Sequence, residues 1–145
     1  VVERPPPATR ADFRAWREFS TRWGDNDAYG HVNNTVYHQW FDSAVNAWLV
    51  SEGLLDIATG DPIAIVAETR CSYAAPLAFP EPVEVGLAVA SFGRSSIRYR
   101  IGVFSVDSQM AAAEGEFVHV LVDRETRRPV PIPEKWRNRL ETIAR

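Results

Sequence analysis

The 145-residue chain has room for one domain with a proper core and no more. Apolar residues make up 46% and charged residues 24%, the balance of a globular protein, and a net charge of −3 lacks the basic excess of a general nucleic-acid binder. The single cysteine, Cys71, excludes an intrachain disulfide and suits a reducing compartment, and no apolar run approaches the length of a membrane span.

Val1 to Arg10 holds three consecutive prolines and no apolar signal core. Residues 1–12 are therefore expected to form a short extended or disordered lead-in, residues 13–145 a single domain, and the location to be cytoplasmic. Phe13 to Trp23 alternates loosely, with aromatic residues at 13, 16, 19 and 23, and reads as a first strand. Gly24 to Asn34 has loop composition, dense in Asp, Asn and His.

From Thr35 to Glu52 the apolar residues fall in steps of four on two adjacent ridges. One ridge is Val36, Trp40, Ala44 and Trp48, and the other is Tyr37, Phe41, Val45 and Leu49. That spacing predicts a core helix with a broad apolar face. Asn33 or Asn34 can cap its start, and Gly53 can end it. The period then changes to two. Ile63 to Tyr73 places Ile63, Ile65, Ala67, Thr69, Cys71 and Tyr73 on one side, with Glu68, Arg70 and Ser72 on the other. Further strands are expected around Val83–Val89, Ile97–Val103 and Met110–Asp123, joined by turns at 92–95 and 107–109. Prolines at 129, 131 and 133 precede a short helix, roughly Glu134 to Ala144. The order gives an α+β fold: a five-stranded antiparallel sheet wrapped around one long central helix.

The unusual chemistry lies in residues 22–34, where Asp25, Asp27, His31, Asn33 and Asn34 feed directly into a buried helix. A helix start presents free backbone N–H groups and a partial positive charge, which can polarise a carbonyl and hold a developing oxyanion. A nearby carboxylate can attack that carbonyl or activate water. Ester or thioester hydrolysis needs those two parts. Gly30 would let the backbone come close to a ligand.

The segment resembles the signature of the 4-hydroxybenzoyl-CoA thioesterase family of hotdog proteins, D-x-D-x-x-G-H-V-N-N-x-x-Y, carried here by Asp25, Asp27, Gly30, His31, Val32, Asn33, Asn34 and Tyr37. Tyr73-Ala-Ala-Pro76, Gly93-Arg94-Ser95-Ser96 and the last long strand also match, so the likeness covers roughly Phe13 to Pro133. The resemblance implies a hotdog fold and hydrolysis of an acyl-CoA thioester. Asp27 is then the catalytic carboxylate, as nucleophile or general base. The Asn34 N–H polarises the carbonyl, and His31 positions water or Asp27. Tyr29, Gly30 and Tyr37, with Arg94, Ser95 and Ser96 of the turn, are the candidate substrate contacts. Plant acyl-carrier-protein thioesterases share the loop signature but carry asparagine where this chain has Tyr29 and an acid near Ser72, so those details do not transfer. The resemblance further implies no cofactor beyond the coenzyme A of the substrate, and a homodimer or homotetramer with its active sites at the dimer interface. Acyl pockets of the family sit between helix and neighbouring sheet, where Trp40, Phe41 and Trp48 would set tunnel depth.

Other residues read more plainly. Asp25 reads as a loop aspartate bonding backbone N–H groups. His119 reads as a buried, satisfied histidine, and His38 carries no role. His31, His38 and His119 are too scattered for a metal site. Arg124, Arg127 and Arg128 form a basic cluster, either solvated or gripping the nucleotide phosphates. The alternatives to acyl-CoA hydrolysis are an acyl-carrier-protein thioesterase, docked through that cluster, a hotdog dehydratase or hydratase, and a non-catalytic acyl-CoA binding or regulatory module.

Overall fold

The computed structural model describes residues 5–145. Strand β1 (Ala15–Phe19) precedes the long helix α1 (Asn34–Ser51). Strands β2 (Ile63–Tyr73), β3 (Val83–Phe92), β4 (Ser96–Ser105) and β5 (Ala113–Val122) follow, and helix α2 (Glu134–Glu141) closes the chain. The five strands form one antiparallel sheet in the order β1-β3-β4-β5-β2. This is the expected α+β hotdog architecture.

The sheet curls around α1 because both partners carry one continuous apolar face. The helix buries Val36, Tyr37, Trp40, Phe41, Ala44, Val45 and Leu49, drawn from both ridges of the sequence pattern. Opposite them stand the inward residues of β3 and β4, such as Val85, Leu87, Tyr99 and Ile101. Burial of this set supplies most of the driving force for folding. Trp40 and Phe41 are core residues, 6% and 0% exposed.

Three expectations need correction. The alternation of β2 is not continuous. Val66 pairs with His119 and Glu68 with Val118, so Ala67 is a bulge. A bulge inserts one residue and reverses the phase of the strand. Ile63 and Ile65 thus share the outer face with Glu68, Arg70 and Ser72, while Ala64, Val66, Thr69, Cys71 and Tyr73 turn inward. The first strand is also shorter than its aromatic pattern, ending at Phe19, and Trp23 sits in a 3-10 turn. Finally, residues 5–12 are no free lead-in. Ala8 is buried with Phe13, Ala88, Phe104 and Ala111 in a second small core on the outer face of the sheet. Residues 1–4 of that expected segment lie outside the described residues.

His119 is buried as expected but not satisfied. Its Nδ1 and the Tyr99 hydroxyl are both fully buried without a hydrogen-bond partner among the described residues. The two rings meet edge to face at 5.8 Å. Burial pushes the His119 imidazole down to about 4 and raises the Tyr99 phenol above its ordinary range.

Acid stability should record this. The unfolded chain protonates His119 near pH 6.5 and the folded chain only near pH 4, so stability falls as pH drops between those values, by roughly 3 kcal/mol in total. His119→Leu should be as stable as the native protein at pH 7 or slightly more so, since an unpaired buried polar group is removed. It should lose less stability than the native protein between pH 7 and pH 4.5, as measured by urea midpoints. Identical losses in the two proteins would contradict the assignment.

Candidate active site

The loop of residues 22–33 is folded onto itself before it reaches the helix. Asp25 is 1% exposed. Its Oδ2 accepts the Arg22 N–H at 2.8 Å, and its Oδ1 accepts from the Arg22 guanidinium at 2.8 and 3.0 Å. Its own carbonyl accepts the Asn33 N–H at 2.8 Å. Asp25 therefore ties the loop, as a loop aspartate is expected to do. The loop is also stitched to the segment after β2: Val32 N–H donates to Leu77 O at 2.7 Å and Phe79 N–H to Asn26 Oδ1 at 3.0 Å.

Within this frame, residues 27–31 make a tight turn. Asp27 N–H donates to His31 O, and Gly30 N–H to Asp27 O. Gly30 has φ +86° with open space around the missing side chain. The turn needs glycine for its left-handed backbone, not for a close approach. Asp27 Oδ1 accepts the Tyr29 N–H at 2.8 Å. Its other oxygen, Oδ2, lies 3.6 Å from His31 Nδ1. Tyr29 is 85% exposed, and its ring stacks loosely on His31 at 6.4 Å.

The helix start faces the same space. Asn33 is the N-cap, with its side chain accepting the Thr35 N–H at 2.9 Å. Val36 N–H reaches Asn33 O. The Asn34 N–H has no partner among the described residues, which leaves a free donor at the positive end of an 18-residue helix. A pocket of about 520 Å³ brings Asp27, Tyr29, His31, Asn34 and Tyr37 together with Tyr73 to Pro76.

Tyr73 is the residue that the loop signature alone misses. Its hydroxyl donates to Asn34 O at 3.2 Å, and its ring meets that of Tyr37 edge to face at 5.0 Å. It thus fastens the end of β2 to the first turn of α1. Burial is the main cause that pushes the Tyr37 phenol up to about 12 and the Cys71 thiol up to about 11, so both stay neutral near pH 7. Burial also raises the Tyr73 phenol.

Arg94, Ser95 and Ser96 are not part of this cluster. They form the β3–β4 turn, where Ser95 O accepts the Leu121 N–H and Arg94 O accepts the Ile132 N–H. The pocket lies at the other end of the sheet, beside the start of β5. The ten residues of β4 separate the two ends by on the order of 30 Å. The basic cluster is also divided. Arg124 is engaged by the carbonyls of Ile57, Ala58 and Gly60, while Arg127 and Arg128 are exposed in a turn. His38 bonds Thr69 Oγ1 at 3.0 Å. Among the described residues, no group of three His, Cys, Asp or Glu could hold a metal ion, and no helix is long and apolar enough to cross a membrane.

The chain is similar to known proteins in sequence and in fold. A family model described as the thioesterase-like superfamily matches residues 21–140. The crystal structure of the PA5185 protein from Pseudomonas aeruginosa is 45% identical, with 97% of each chain covered and a TM-score of 0.91. A thioesterase from Thermus thermophilus, complexed with coenzyme A and Zn, is 29% identical over 91% of this chain and 95% of that one, with a TM-score of 0.76. A 1,4-dihydroxy-2-naphthoyl-CoA hydrolase from Synechococcus elongatus is 23% identical over 138 residues, which is 92% of this chain and 98% of that protein.

The Asp25 knot can be tested apart from chemistry. Asp25→Ala leaves the Arg22 N–H without its acceptor and should cost about 1–3 kcal/mol, read as a lower urea midpoint at unchanged slope. A midpoint within error of the native value would show that the loop holds without it.

Proposed function

The chain belongs to the thioesterase-like superfamily of hotdog thioester hydrolases, and from that membership we propose that it hydrolyses an acyl-CoA thioester with Asp27 as the catalytic carboxylate. The observation that carries this reading is that the Asp27 carboxylate and the unpartnered Asn34 N–H line one pocket. The thioester carbonyl oxygen sits at the Asn34 N–H, where the helix end stabilises the charge that develops on it. Asp27 then acts in one of two ways. As general base it takes a proton from water, the hydroxide adds to the carbonyl carbon, and the C–S bond breaks as coenzyme A leaves as a thiolate that takes up the proton held by Asp27. As nucleophile its Oδ adds to the carbon, coenzyme A leaves from a mixed anhydride, and water cleaves the anhydride to return the carboxylate. His31, 3.6 Å from Asp27, orients the carboxylate or the water. Coenzyme A enters as part of the substrate. Its place is supported by the coenzyme A complex of the Thermus thioesterase and by the name of the Synechococcus hydrolase.

We further propose that the site is completed in a homodimer or homotetramer. Strand β2 is a sheet edge, with Ile65 and Val66 41% and 47% exposed. An unpaired edge of this kind is a template for another strand. Antiparallel pairing of two β2 strands about a two-fold axis turns the partner's sheet end for end. The partner's β3–β4 turn, carrying the partner's Arg94, then lies at the Asp27 end, and the distance within one protomer ceases to exclude a phosphate contact.

Asp27→Asn should keep the fold and lose about 10²-fold or more of kcat in a thiol-release assay across acetyl- to palmitoyl- and benzoyl-CoA. A rate within tenfold of native would refute the assignment. Arg94→Ala should raise KM for acyl-CoA about tenfold, equivalent to about 1.4 kcal/mol, while sparing short thioesters of N-acetylcysteamine, which lack the nucleotide. Equal losses on both substrate types would argue against a phosphate contact.

A further inference from the structure

The donor used in the proposed reaction, the Asn34 N–H, has no partner of its own among the described residues, so its direction is set by the atoms on either side of it. That direction matters. A donor has to meet the developing oxyanion at about 2.7–3.1 Å, and a misplacement of about 1 Å can cost about 10²-fold in rate. The first turn of a helix is also where the backbone is held least, since its N–H groups lack intrahelical partners and helix ends fray.

Two hydrogen bonds bracket the donor. On the loop side the Asn33 N–H donates to Asp25 O at 2.8 Å. On the helix side the Asn34 carbonyl accepts the Tyr73 hydroxyl at 3.2 Å. The peptide that carries the Asn34 N–H is planar and turns on two torsions, ψ of Asn33 and φ of Asn34. The Asn33 N–H lies just before the first torsion, and the Asn34 carbonyl lies just after the second. With both ends tied, the donor between them has little freedom to swing. The segment that begins at Tyr73 holds the loop a second time, since Leu77 O accepts the Val32 N–H at 2.7 Å. Three consecutive residues, Val32, Asn33 and Asn34, are thus each held by a different partner.

Tyr73 is itself firmly mounted. It ends β2 in register with Ala113 of β5. The N–H groups of Ala74 and Ala75 both donate to Ala112 O, at 2.8 and 3.0 Å, which pins the backbone just beyond it. Its ring meets Tyr37 edge to face at 5.0 Å, and the buried Tyr37 meets Trp40 in the same way at 5.2 Å. The sheet therefore carries the phenol and α1 braces it. Burial raises the Tyr73 phenol, so it stays an O–H donor near pH 7.

The hydroxyl has one proton to donate, and that proton is engaged by Asn34 O. A thioester oxygen could receive it only if the tie were broken. The ring packing on Tyr37 would be met equally by phenylalanine, so the hydroxyl is the part that packing does not explain.

We propose, with Asn34 as the oxyanion donor beside Asp27 as proposed above, that Tyr73 is a positioning residue: its hydroxyl holds the Asn34 carbonyl and so aims the Asn34 N–H at the thioester carbonyl. The end of β2 thereby takes a part in the chemistry that lies outside the loop signature.

The test is Tyr73→Phe in the full chain, assayed by thiol release on the acyl-CoA panel above and by backbone amide NMR relaxation of the free protein. The variant keeps the ring and should keep a near-native urea midpoint. Its kcat should fall about tenfold with KM within twofold of native, the pattern of a contact that matters in the transition state. The order parameter of the Asn34 amide should fall from the rigid value of about 0.85 to below about 0.7. A tyrosine with only a structural role would lower the midpoint and leave both of these unchanged. A kcat within threefold of native, or a tenfold loss with an unchanged Asn34 order parameter, overturns the proposal. The Asp27 reading fails separately: a near-native rate for Asp27→Asn, with Tyr73→Phe still tenfold slow, removes Asp27 from the reaction and leaves Tyr73 at its task.

Discussion

The carboxylate of Asp25 fixes where the long helix begins, and the rest of the site depends on that point. A polar loop entering a buried helix must settle its own backbone groups before the core closes over it. Asp25 does this in both directions. Its side chain holds Arg22 behind it, and its carbonyl holds Asn33 ahead of it. The loop becomes a closed ring, and the helix starts from one edge of that ring. Asn33 then spends its side chain on Thr35, so the donor left over is the Asn34 N–H. A free donor at a helix end normally finds water or a cap. Here it faces a pocket that also holds a carboxylate, so the loop has placed complementary charge on both sides of one cavity.

The two faces of the sheet are closed by different means. The inner face is covered by a helix, the broadest apolar element in the chain. The outer face is only partly covered, by the segment before β1, which presses Phe13 onto Gly86 and Gly102. Elsewhere that face carries opposed charges: Arg98 and Arg70 meet Glu116, and Arg100 meets Glu114. Such half-exposed pairs contribute little to stability, but they keep an open sheet face soluble and unattractive to other strands.

Much of this is legible in the sequence where one periodicity or one motif is enough. The helix follows from apolar steps of four, and the bounds of β2 from its first and last alternating residues. The loop signature marks residues that line the pocket. What is not legible depends on distant parts of the chain. The phase of β2 reverses at Ala67, and a bulge leaves no mark in a run where alanine fits either face. Phe13 reads as part of a strand because its glycine slot is made by residues about 70 and 90 positions away in sequence. Gly86 and Gly102, each interrupting an alternating strand, are the available sign of a close approach. The hydrogen bond from Tyr73 to Asn34 joins two segments that only the fold brings together. Arg124 reads as free among other arginines, and only the loop at 57–60 shows what it holds.

The separation of Arg94 from Asp27 bears on why the Asp27 loop sits at the open side of the sheet. Strands β3, β4 and β5 are covered by neighbours on both sides, and β1 forms the far edge. Strand β2 alone combines an unpaired edge with a direct tie to the helix start, through Tyr73. The tie from the β2 edge to the Asn34 peptide runs through one side chain and one hydrogen bond. In a fold with the loop beside β1, pairing and chemistry would be far apart, and assembly could not influence the pocket. The position of the loop next to the exposed edge puts the pocket and the free strand edge beside the same few residues, from Cys71 to Pro76.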